Sequence, residues 1–255
     1  MRPYFCYYMV MIKTAKILGF KVNLLSFEEA LEYSLNSIKN NQNVHIVTIN
    51  PEIIQNAKNK PELKNIINNA ELVTADGIGI KIALKFKGID QQKITGVDFS
   101  QKMLQIAADN GIKTAFVGAK KDVLDLAVKN SLEKYKNLNI VYSHDGYFSD
   151  FNPIIDDIIN SGAKFILCAM GSPKQEYFIS ELKKRAEGAL MIGVGGTFDV
   201  LSGTVKLAPP LFRKLGLEWL YRTIKQPERI KRIFPALPIF FFQSIIDSVN
   251  DKSAR

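Results

Sequence analysis

The sequence predicts an α/β protein: a Rossmann-like, mostly parallel sheet flanked by helices, with a basic helical appendage at the C-terminus. Over about the first 200 residues, short apolar runs rich in β-branched side chains alternate with amphipathic helical patterns, as in βαβ units. After about residue 205 the chain changes to basic and aromatic helical segments. We therefore place the α/β core at residues 11–205 and the appendage at residues 206–255.

The amino-acid composition limits the kinds of partner and the cellular compartment that the protein is expected to have. The 255 residues are 47% apolar, which is ordinary for a globular protein of this length. Lys and Arg outnumber Asp and Glu by 34 to 25, which favours a polyanionic partner: nucleic acid, an anionic membrane or a phosphorylated substrate. Cys6 and Cys168 are widely spaced and have no neighbouring His, which argues against a disulfide framework or a zinc site. Such cysteine usage predicts a reducing, cytoplasmic location.

The elements are predicted in chain order. Ser26 and Glu29 form a capping box that opens a helix to about Asn41. A buried strand follows at Val44–Ile49 and ends at Asn50, which caps a helix with Pro51 at its first position. Further strands are predicted at 72–74, 114–117, 139–142, 165–169 and 190–194, and further helices near 98–110, 121–136, 152–161 and 174–187.

Each predicted strand ends in a polar or glycine-rich turn, and in a parallel sheet these turns share one crevice. The candidate binding residues in these turns are Thr48, Asn50, Asp76, Gly77, Gly118, Gln175, Glu176, Gly195, Gly196, Thr197 and Asp199. The turn Gly193-Val-Gly-Gly-Thr-Phe-Asp199 is the best phosphate candidate, because glycines let backbone N–H groups approach an anion. It lacks the third glycine of a dinucleotide fingerprint, and a tight turn explains the same glycines equally well.

Asp76 is the strongest catalytic candidate. It ends the apolar strand in Glu71-Leu-Val-Thr-Ala-Asp-Gly-Ile-Gly-Ile80, so that its carboxylate faces the crevice from a rigid element and fits a general base. The alternative is that Asp76 caps the helix beginning near Ile78, as Asp often does. The residue pattern alone gives the two interpretations even weight.

The sequence predicts neither an essential metal nor a cofactor. It contains no D-x-D pair and no His or Cys cluster with ligand spacing. His45 and His144 stand in strand and loop contexts where a structural role is expected. If a metal were bound, Asp98 and Asp199 would be the first residues to test.

The appendage combines charge with apolar surface. Between positions 213 and 232 there are seven basic residues and two acidic ones. Arg222, Lys225, Arg229 and Arg232 recur at helical spacing, although Pro227 is expected to break or restart the helix. The apolar stretch 233–246 is too short to span a membrane and contains two prolines. We expect it to lie in the interface of an anionic membrane.

Six motifs together resemble the WecG/TagA/CpsF glycosyltransferase family. They are Thr48-Ile-Asn-Pro-Glu52, Ala75-Asp-Gly-Ile-Gly79, Thr95-Gly-Val-Asp98, Gly171-Ser-Pro-Lys-Gln-Glu176, Gly193-Val-Gly-Gly-Thr-Phe-Asp199, and Gly216-Leu-Glu-Trp-Leu-Tyr-Arg222 with Pro227-Glu-Arg229. The resemblance covers about residues 17–232 and is closest to the TagA branch, the N-acetylmannosaminyltransferases of wall teichoic acid linkage-unit synthesis. One departure is Leu207-Ala-Pro209, where the family commonly has Arg-Ala-Pro.

The resemblance implies an inverting, metal-independent transferase at the inner face of the cell membrane. Its donor would be UDP-N-acetylmannosamine (UDP-ManNAc), and its acceptor undecaprenyl-diphosphate-linked N-acetylglucosamine, joined by a β-1,4 link. It further implies that Asp76 is the base with Thr48 beside it, and that the strand-end residues named above bind the UDP sugar. Backbone N–H groups near Gly195 and Gly196 would stabilise the leaving UDP, and Arg222, Arg229 and Arg232 would bind the acceptor diphosphate.

The sequence leaves several alternatives open. Relatives that it resembles use N-acetylmannosaminuronic acid or glucose, so the donor sugar is undecided. Whether the chain forms a homo-oligomer is also undecided. A nicotinamide-dependent oxidoreductase fits the strand-to-helix glycines but lacks the third one. A basic module that docks on nucleic acid or membrane without chemistry fits the net charge. Its aromatic residues are not interleaved with basic ones in a stacking platform, which disfavours nucleic acid.

Overall fold

A computed structural model of the chain describes residues 12–225, 227 and 230–253. Outside that description are the side chains of Arg222, Lys231, Arg232, Phe234, Pro235, Lys252 and Ser253. The α/β class is confirmed, with six parallel strands in one sheet and helices on both faces. A separate antiparallel hairpin lies at the start of the described chain.

The strands are β1 (Lys13–Ile17), β2 (Phe20–Leu24), β3 (Val44–Ile49), β4 (Leu72–Ala75), β5 (Lys113–Gly118), β6 (Asn139–His144), β7 (Phe165–Ala169) and β8 (Leu190–Gly193). The helices are α1 (Phe27–Lys39), α2 (Pro51–Ala57), α3 (Pro61–Asn69), α4 (Gly77–Phe86), α5 (Gly96–Asp109), α6 (Lys121–Lys134), α7 (Asn152–Ser161), α8 (Lys174–Arg185), α9 (Thr197–Leu201), α10 (Pro210–Lys214), α11 (Glu218–Lys225) and α12 (Ile230–Ser253). The spatial order of the sheet is β4-β3-β8-β7-β5-β6.

The sheet has an apolar core on each face, because successive residues of a strand point to opposite sides. On one face, Ile46 and Phe116 pack with helices α1, α5, α6 and α9. On the other face, Val47 and Ile49 pack with α2, α3, α4 and α12, and Cys168 packs with α7 and α8. Both faces are therefore covered, which explains why the strands read as nearly continuous apolar runs.

The parallel register aligns the carboxyl ends of the strands at one edge of the sheet. Ile49 of β3 is level with Ala75 of β4, and Val47 is level with Gly193 of β8. Farther across, Gly118 of β5 is level with Ala169 of β7. The turns after the strands therefore lie side by side, as the sequence predicts.

The predicted helix starts are confirmed. Ser26 accepts a hydrogen bond from the Glu29 N–H, and the Glu29 carboxylate accepts one from the Ser26 N–H. Asn50 Oδ1 accepts from the Ile53 N–H at 3.0 Å, with Pro51 in the first turn. The helix predicted near 98–110 begins slightly earlier, because Thr95 caps it.

The β1–β2 hairpin was not predicted from the sequence. Its strands join through a tight turn at Leu18 and Gly19, and β2 lies beside β4. Asn23 Oδ1 accepts a 2.7 Å hydrogen bond from the Val73 N–H, which fixes the hairpin to the edge strand. The alternating apolar residues around Gly19 are the signal that could have indicated it.

Helix α12 packs on the core, in contrast to the interfacial tail expected from the sequence. Phe240 is fully buried in the apolar cluster formed with α2 and α4. Asp247 accepts a 3.0 Å hydrogen bond from the Leu18 N–H and lies 2.7 Å from Lys87 Nζ, which also contacts Asp251. A phenylalanine buried in this way cannot insert into a membrane, so this part of the appendage is an element of the fold.

The same C-terminal helices expose most of the apolar surface. Among the described residues, eleven of the fifteen exposed large apolar side chains lie from Leu207 onward. On α12 the exposed residues include Ile239, Phe242, Ile246 and Val249. None of the described helices has the length and apolar content needed to cross a membrane.

We predict that Phe240→Ala lowers the free energy of unfolding by about 3–5 kcal/mol, the usual cost of emptying a buried phenylalanine site. Phe242→Ala is the matched control, since Phe242 lies on the same helix but is 68% exposed. It should change stability by less than about 0.5 kcal/mol. Urea denaturation of both variants measures the difference, and equal effects would contradict the packing of α12.

Candidate active site

A cleft of about 1810 Å³ opens where the carboxyl ends of the strands meet. Its walls are the turns after all six strands of the sheet, together with residues of α4, α10, α11 and α12. Eight of the predicted site residues line it: Thr48, Asn50, Asp76, Gly77, Gln175, Gly195, Gly196 and Asp199. Gly118, Glu176 and Thr197 are buried behind the wall. Arg229 and the side chains of Arg222 and Arg232 lie outside the described residues.

Asp76 stands at the junction of β4 and α4. Its backbone N–H donates to the Ile49 carbonyl at 2.9 Å, which fixes the residue against the end of β3. It occupies the cap position of α4 with an extended backbone, yet its side chain makes no capping hydrogen bond to that described helix. Asn50 and Thr95, in the same position on α2 and α5, do cap. Capping therefore does not explain this aspartate, and its half-buried side chain lines the cleft.

Thr48 is buried on β3, level with Thr74 of β4. Its hydroxyl donates to the Gly193 carbonyl at 3.2 Å and so links β3 to β8. A threonine hydroxyl can also accept hydrogen bonds. Thr48 therefore lines the same cleft as Asp76, with its donor used inside the protein.

Asn50 already has a structural task, because its side-chain oxygen caps α2. The cap does not use its amide nitrogen, which can donate to a ligand, and the oxygen keeps a second lone pair. The same residue thus supports the wall of the cleft and reaches its interior.

Gln175 organises the glycine-rich turn after β8. The Gly195 N–H donates to Gln175 Oε1 at 3.1 Å, and Gln175 Nε2 donates to Glu176 Oε1 at 2.9 Å. A Cβ at Gly193 would lie 2.6 Å from Gln175 Nε2, so a larger residue there would displace the Gln175 amide from this position. The Gly195 N–H, expected from the sequence to face an anion, is engaged with Gln175 in this structure.

Glu176 was predicted to bind substrate but is buried on α8, with 1% of its surface exposed. It contacts Gln175 rather than the cleft. Burial raises the pKa of Glu176 above its ordinary value, and the hydrogen bonds that it accepts oppose that rise. Its place is behind Gln175, where it orients the amide group.

The remaining predicted residues divide between the wall and the support behind it. A Cβ at Gly118 would lie 2.4 Å from the Ala169 carbonyl carbon, so Gly118 permits the close approach of β5 and β7. Thr197 is fully buried and donates to the Val194 carbonyl at 2.8 Å. Asp199 lines the cleft, and its backbone carbonyl accepts from Ser202 and Thr204.

Lys174 and the loop after β6 are features that were not predicted as site residues. Lys174 Nζ donates to the carbonyls of Gly146 and Phe148, at 2.9 and 2.5 Å, and lies 4.4 Å from the Phe148 ring centroid. This holds the loop in place, so that Tyr147, 72% exposed, stands at the cleft. Lys174 belongs to the motif Gly171-Ser-Pro-Lys-Gln-Glu176, and this membership could have identified it from the sequence.

A charged network joins the appendage to the core at the cleft. Arg213 lies 2.5 Å from Asp98, and Lys93 lies 2.7 Å from Glu218. Lys93 Nζ also donates to the Arg213 carbonyl at 3.0 Å. The α10–α11 region is thus held beside the start of α5.

The histidines and acidic residues give no sign of a metal centre within the described part of the chain. No three His, Cys, Asp or Glu side chains described here are grouped closely enough to hold a metal ion. His45 is buried in β3, and burial lowers its pKa to about 3, so its ring is neutral. His144 ends β6 and stacks edge-on against Phe148.

We predict that Glu176→Gln changes how stability depends on pH. A raised native-state pKa means that the parent protein loses stability as pH rises above the ordinary glutamate value of 4.5. The variant keeps an acceptor for Gln175 but cannot ionise, so its stability relative to the parent should increase between about pH 4 and about pH 8. Urea denaturation at both pH values tests this. Glu181→Gln, exposed on the same helix, is the control, and parallel pH profiles for parent and Glu176→Gln would contradict the prediction.

Residues 15–254 match the model of one protein family, described as the glycosyl transferase WecG/TagA/CpsF family. The match spans nearly the whole described chain and includes every element that lines the cleft. It agrees with the family that the six sequence motifs resemble.

Proposed function

This chain belongs to the WecG/TagA/CpsF glycosyltransferase family, and we propose that it transfers N-acetylmannosamine from UDP-ManNAc to undecaprenyl-diphosphate-linked N-acetylglucosamine. The product would carry a β-1,4 link and serve as the linkage unit of wall teichoic acid. Membership in a family of transferases decides against the oxidoreductase and the binding module without chemistry. The TagA-like donor and acceptor rest on the sequence motifs.

The observation that carries the proposal is the position of Asp76. Its carboxylate lines the cleft from the end of a buried strand, and it does not cap the helix that follows. In the proposed reaction, the acceptor 4-hydroxyl attacks the anomeric carbon from the face opposite UDP. The new C–O bond forms as the bond to the diphosphate breaks, the configuration inverts, and Asp76 takes the hydroxyl proton.

Thr48, Asn50 and the turn held by Gln175 lie beside Asp76 along the next strands of the sheet. We assign them to the donor sugar and its diphosphate. The loop after β6, with Tyr147, offers an aromatic surface at the far end of the cleft from β4. A UDP sugar would thus extend across the strand ends with its reacting carbon towards Asp76.

The leaving UDP requires positive charge that the described cleft supplies only in part. Of the basic residues lining it, Lys174 binds the loop after β6 and Arg213 pairs with Asp98. Lys120 is exposed near the end of β5. We therefore keep Arg222, Arg229 and Arg232 as the residues that bind the diphosphate, with the leaving group stabilised by their charge.

We further propose that the appendage attaches the enzyme to the inner face of the membrane. Each basic residue near an anionic surface is worth about 1 kcal/mol, so the five net charges between positions 213 and 232 give at most about 5 kcal/mol. Arg213 contributes less, because it pairs with Asp98 and lies near Glu218. The exposed apolar side chains of α10, α11 and α12 would add their insertion to this attraction.

The donor sugar is decided by an experiment. Full-length protein is incubated with a short-chain polyprenyl-diphosphate N-acetylglucosamine and a panel of UDP sugars, and products are identified by mass spectrometry. Transfer from UDP-ManNAc supports the proposal. Transfer only from UDP-N-acetylmannosaminuronic acid or UDP-glucose would move the chain to another branch of the family.

We predict that Asp76→Asn lowers turnover by about 10²- to 10⁴-fold, the usual contribution of a general base, while UDP binding is retained. Calorimetry with UDP and a product assay measure the two effects separately. Asp125→Asn, on the exposed side of α6, is the control and should match the parent. Turnover within a few-fold of the parent would remove Asp76 from the base position.

EDTA is predicted to leave the transfer rate unchanged, because the sequence has no D-x-D pair and no ligand cluster. The assay compares initial rates with EDTA, with Mg²⁺ and with Mn²⁺. A loss in EDTA that either ion restores would reveal a metal site, to be sought first at Asp98 and Asp199.

Alanine substitution of Arg222, Arg229 or Arg232 is predicted to lower turnover by about 10²-fold even with a soluble acceptor analogue, because the proposed contact is with the diphosphate. Lys225→Ala is the matched control, since Lys225 is exposed on the same basic segment. Full activity of the arginine variants on the soluble analogue would leave these residues only a membrane role.

A further inference from the structure

The two ends of the cleft differ in chemistry. Towards β5, β6 and β7 its lining includes Lys120, Asp122 and Lys174. Towards α4, α11 and α12 it is lined by the half-buried apolar side chains of Ile78, Ile82, Leu217, Leu237 and Phe241. Asp76 stands where the two ends meet, because α4 begins directly after it.

The apolar end is built by close packing of the appendage on α4. A Cβ at Gly216 would lie 2.7 Å from Ile78 Cβ, so the α10–α11 turn rests directly on the first turn of α4. The charged groups at this border, Arg213 and Glu218, are paired with Asp98 and Lys93. Among the described residues, the lining beyond Asp76 is therefore mainly apolar, and the charges of Arg213 and Glu218 at its border are paired.

This apolar end continues to the outer surface. Leu215 and Trp219 line the cleft and are also exposed, and Leu211 extends the same surface outward along α10. On α12, exposed Phe242 follows cleft-lining Phe241. Several exposed apolar side chains at the border of a cleft indicate a binding surface for an apolar partner.

We propose that the apolar end of the cleft binds the first isoprene units of the acceptor lipid. This inference rests on the proposed function, since it requires an acceptor whose sugar hydroxyl reaches Asp76 while its lipid leaves the site. The polar end of the cleft suits the nucleotide of the donor, and the apolar end lets the acceptor lipid leave the site. The isoprenoid tail of the acceptor would leave the cleft past Leu215 and Trp219, towards the exposed surface that we propose faces the membrane.

The binding site makes the acceptor KM depend on chain length. Initial rates are measured with N-acetylglucosamine diphosphates that carry a methyl, a farnesyl or an undecaprenyl group. For the parent, KM should fall by about tenfold or more from methyl to farnesyl, in line with the value of apolar groups in a fitted pocket. Leu237→Ser should raise KM for the farnesyl acceptor by about tenfold and leave KM for the methyl acceptor and for the UDP sugar unchanged.

Leu126→Ser is the control, because Leu126 is 43% exposed on α6, does not line the cleft and lies outside the surface proposed to face the membrane. It should keep the chain-length dependence of the parent. A parent KM that is independent of chain length would overturn the inference. So would an equal rise in KM for the methyl and farnesyl acceptors in Leu237→Ser.

A second measurement does not depend on turnover or on a folded variant. The parent protein is irradiated with a photoreactive analogue of farnesyl diphosphate, and labelled peptides are located by mass spectrometry. Labels at Ile82, Leu237 or Phe241 support the site. Labels only at exposed apolar residues away from the cleft, such as Leu126 or Ile159, overturn it. If no UDP sugar is transferred to any acceptor while the label still enters the cleft, the proposed function fails and the isoprenoid site stands.

Discussion

The site depends on the parallel pairing of β3 with β4 on one side and β8 on the other. Neighbouring strands lie about 4.8 Å apart, so this pairing sets the spacing of Asp76, Asn50 and the turn after Gly193 without any help from flexible side chains. A slip of one residue would turn the side chains of a strand to the opposite face. The apolar residues of β3 prevent this, because Ile46 is required in one core and Val47 in the other.

Local sequence signals predicted the six strands of the parallel sheet, the caps at Ser26 and Asn50, and the edge of the sheet at which the cleft opens. Asn50 and Ser26 are examples, since a cap is decided by residues three positions away. The roles of Gln175 and Glu176 could not be read in this way. Gln175 meets Gly195, twenty positions later, and which of two adjacent polar residues faces the cleft depends on how α8 packs. Spacing along the chain does not contain that information.

Helix α12 illustrates a second limit of sequence patterns. Its middle is apolar on the side that packs on α2 and α4, and apolar again on the exposed side. Phe240 and Phe242 are the same residue type two positions apart, yet Phe240 is buried and Phe242 is exposed. Hydrophobicity therefore predicts that such a helix buries surface, but only tertiary contacts such as that of Asp247 with Leu18 tell which side is buried in the protein.

Close packing limits which residues around the cleft can be replaced without disturbing the scaffold. At Gly118 and Gly193 any side chain would collide with a neighbouring strand or with Gln175, so substitutions there would disturb the scaffold before they altered ligand preference. Tyr147 is different, because it reaches the cleft from an exposed loop that two backbone carbonyls tie to Lys174. Replacing its side chain leaves those carbonyl contacts in place. New ligand preferences can therefore arise in the loops while the strand ends that hold Asp76 stay fixed.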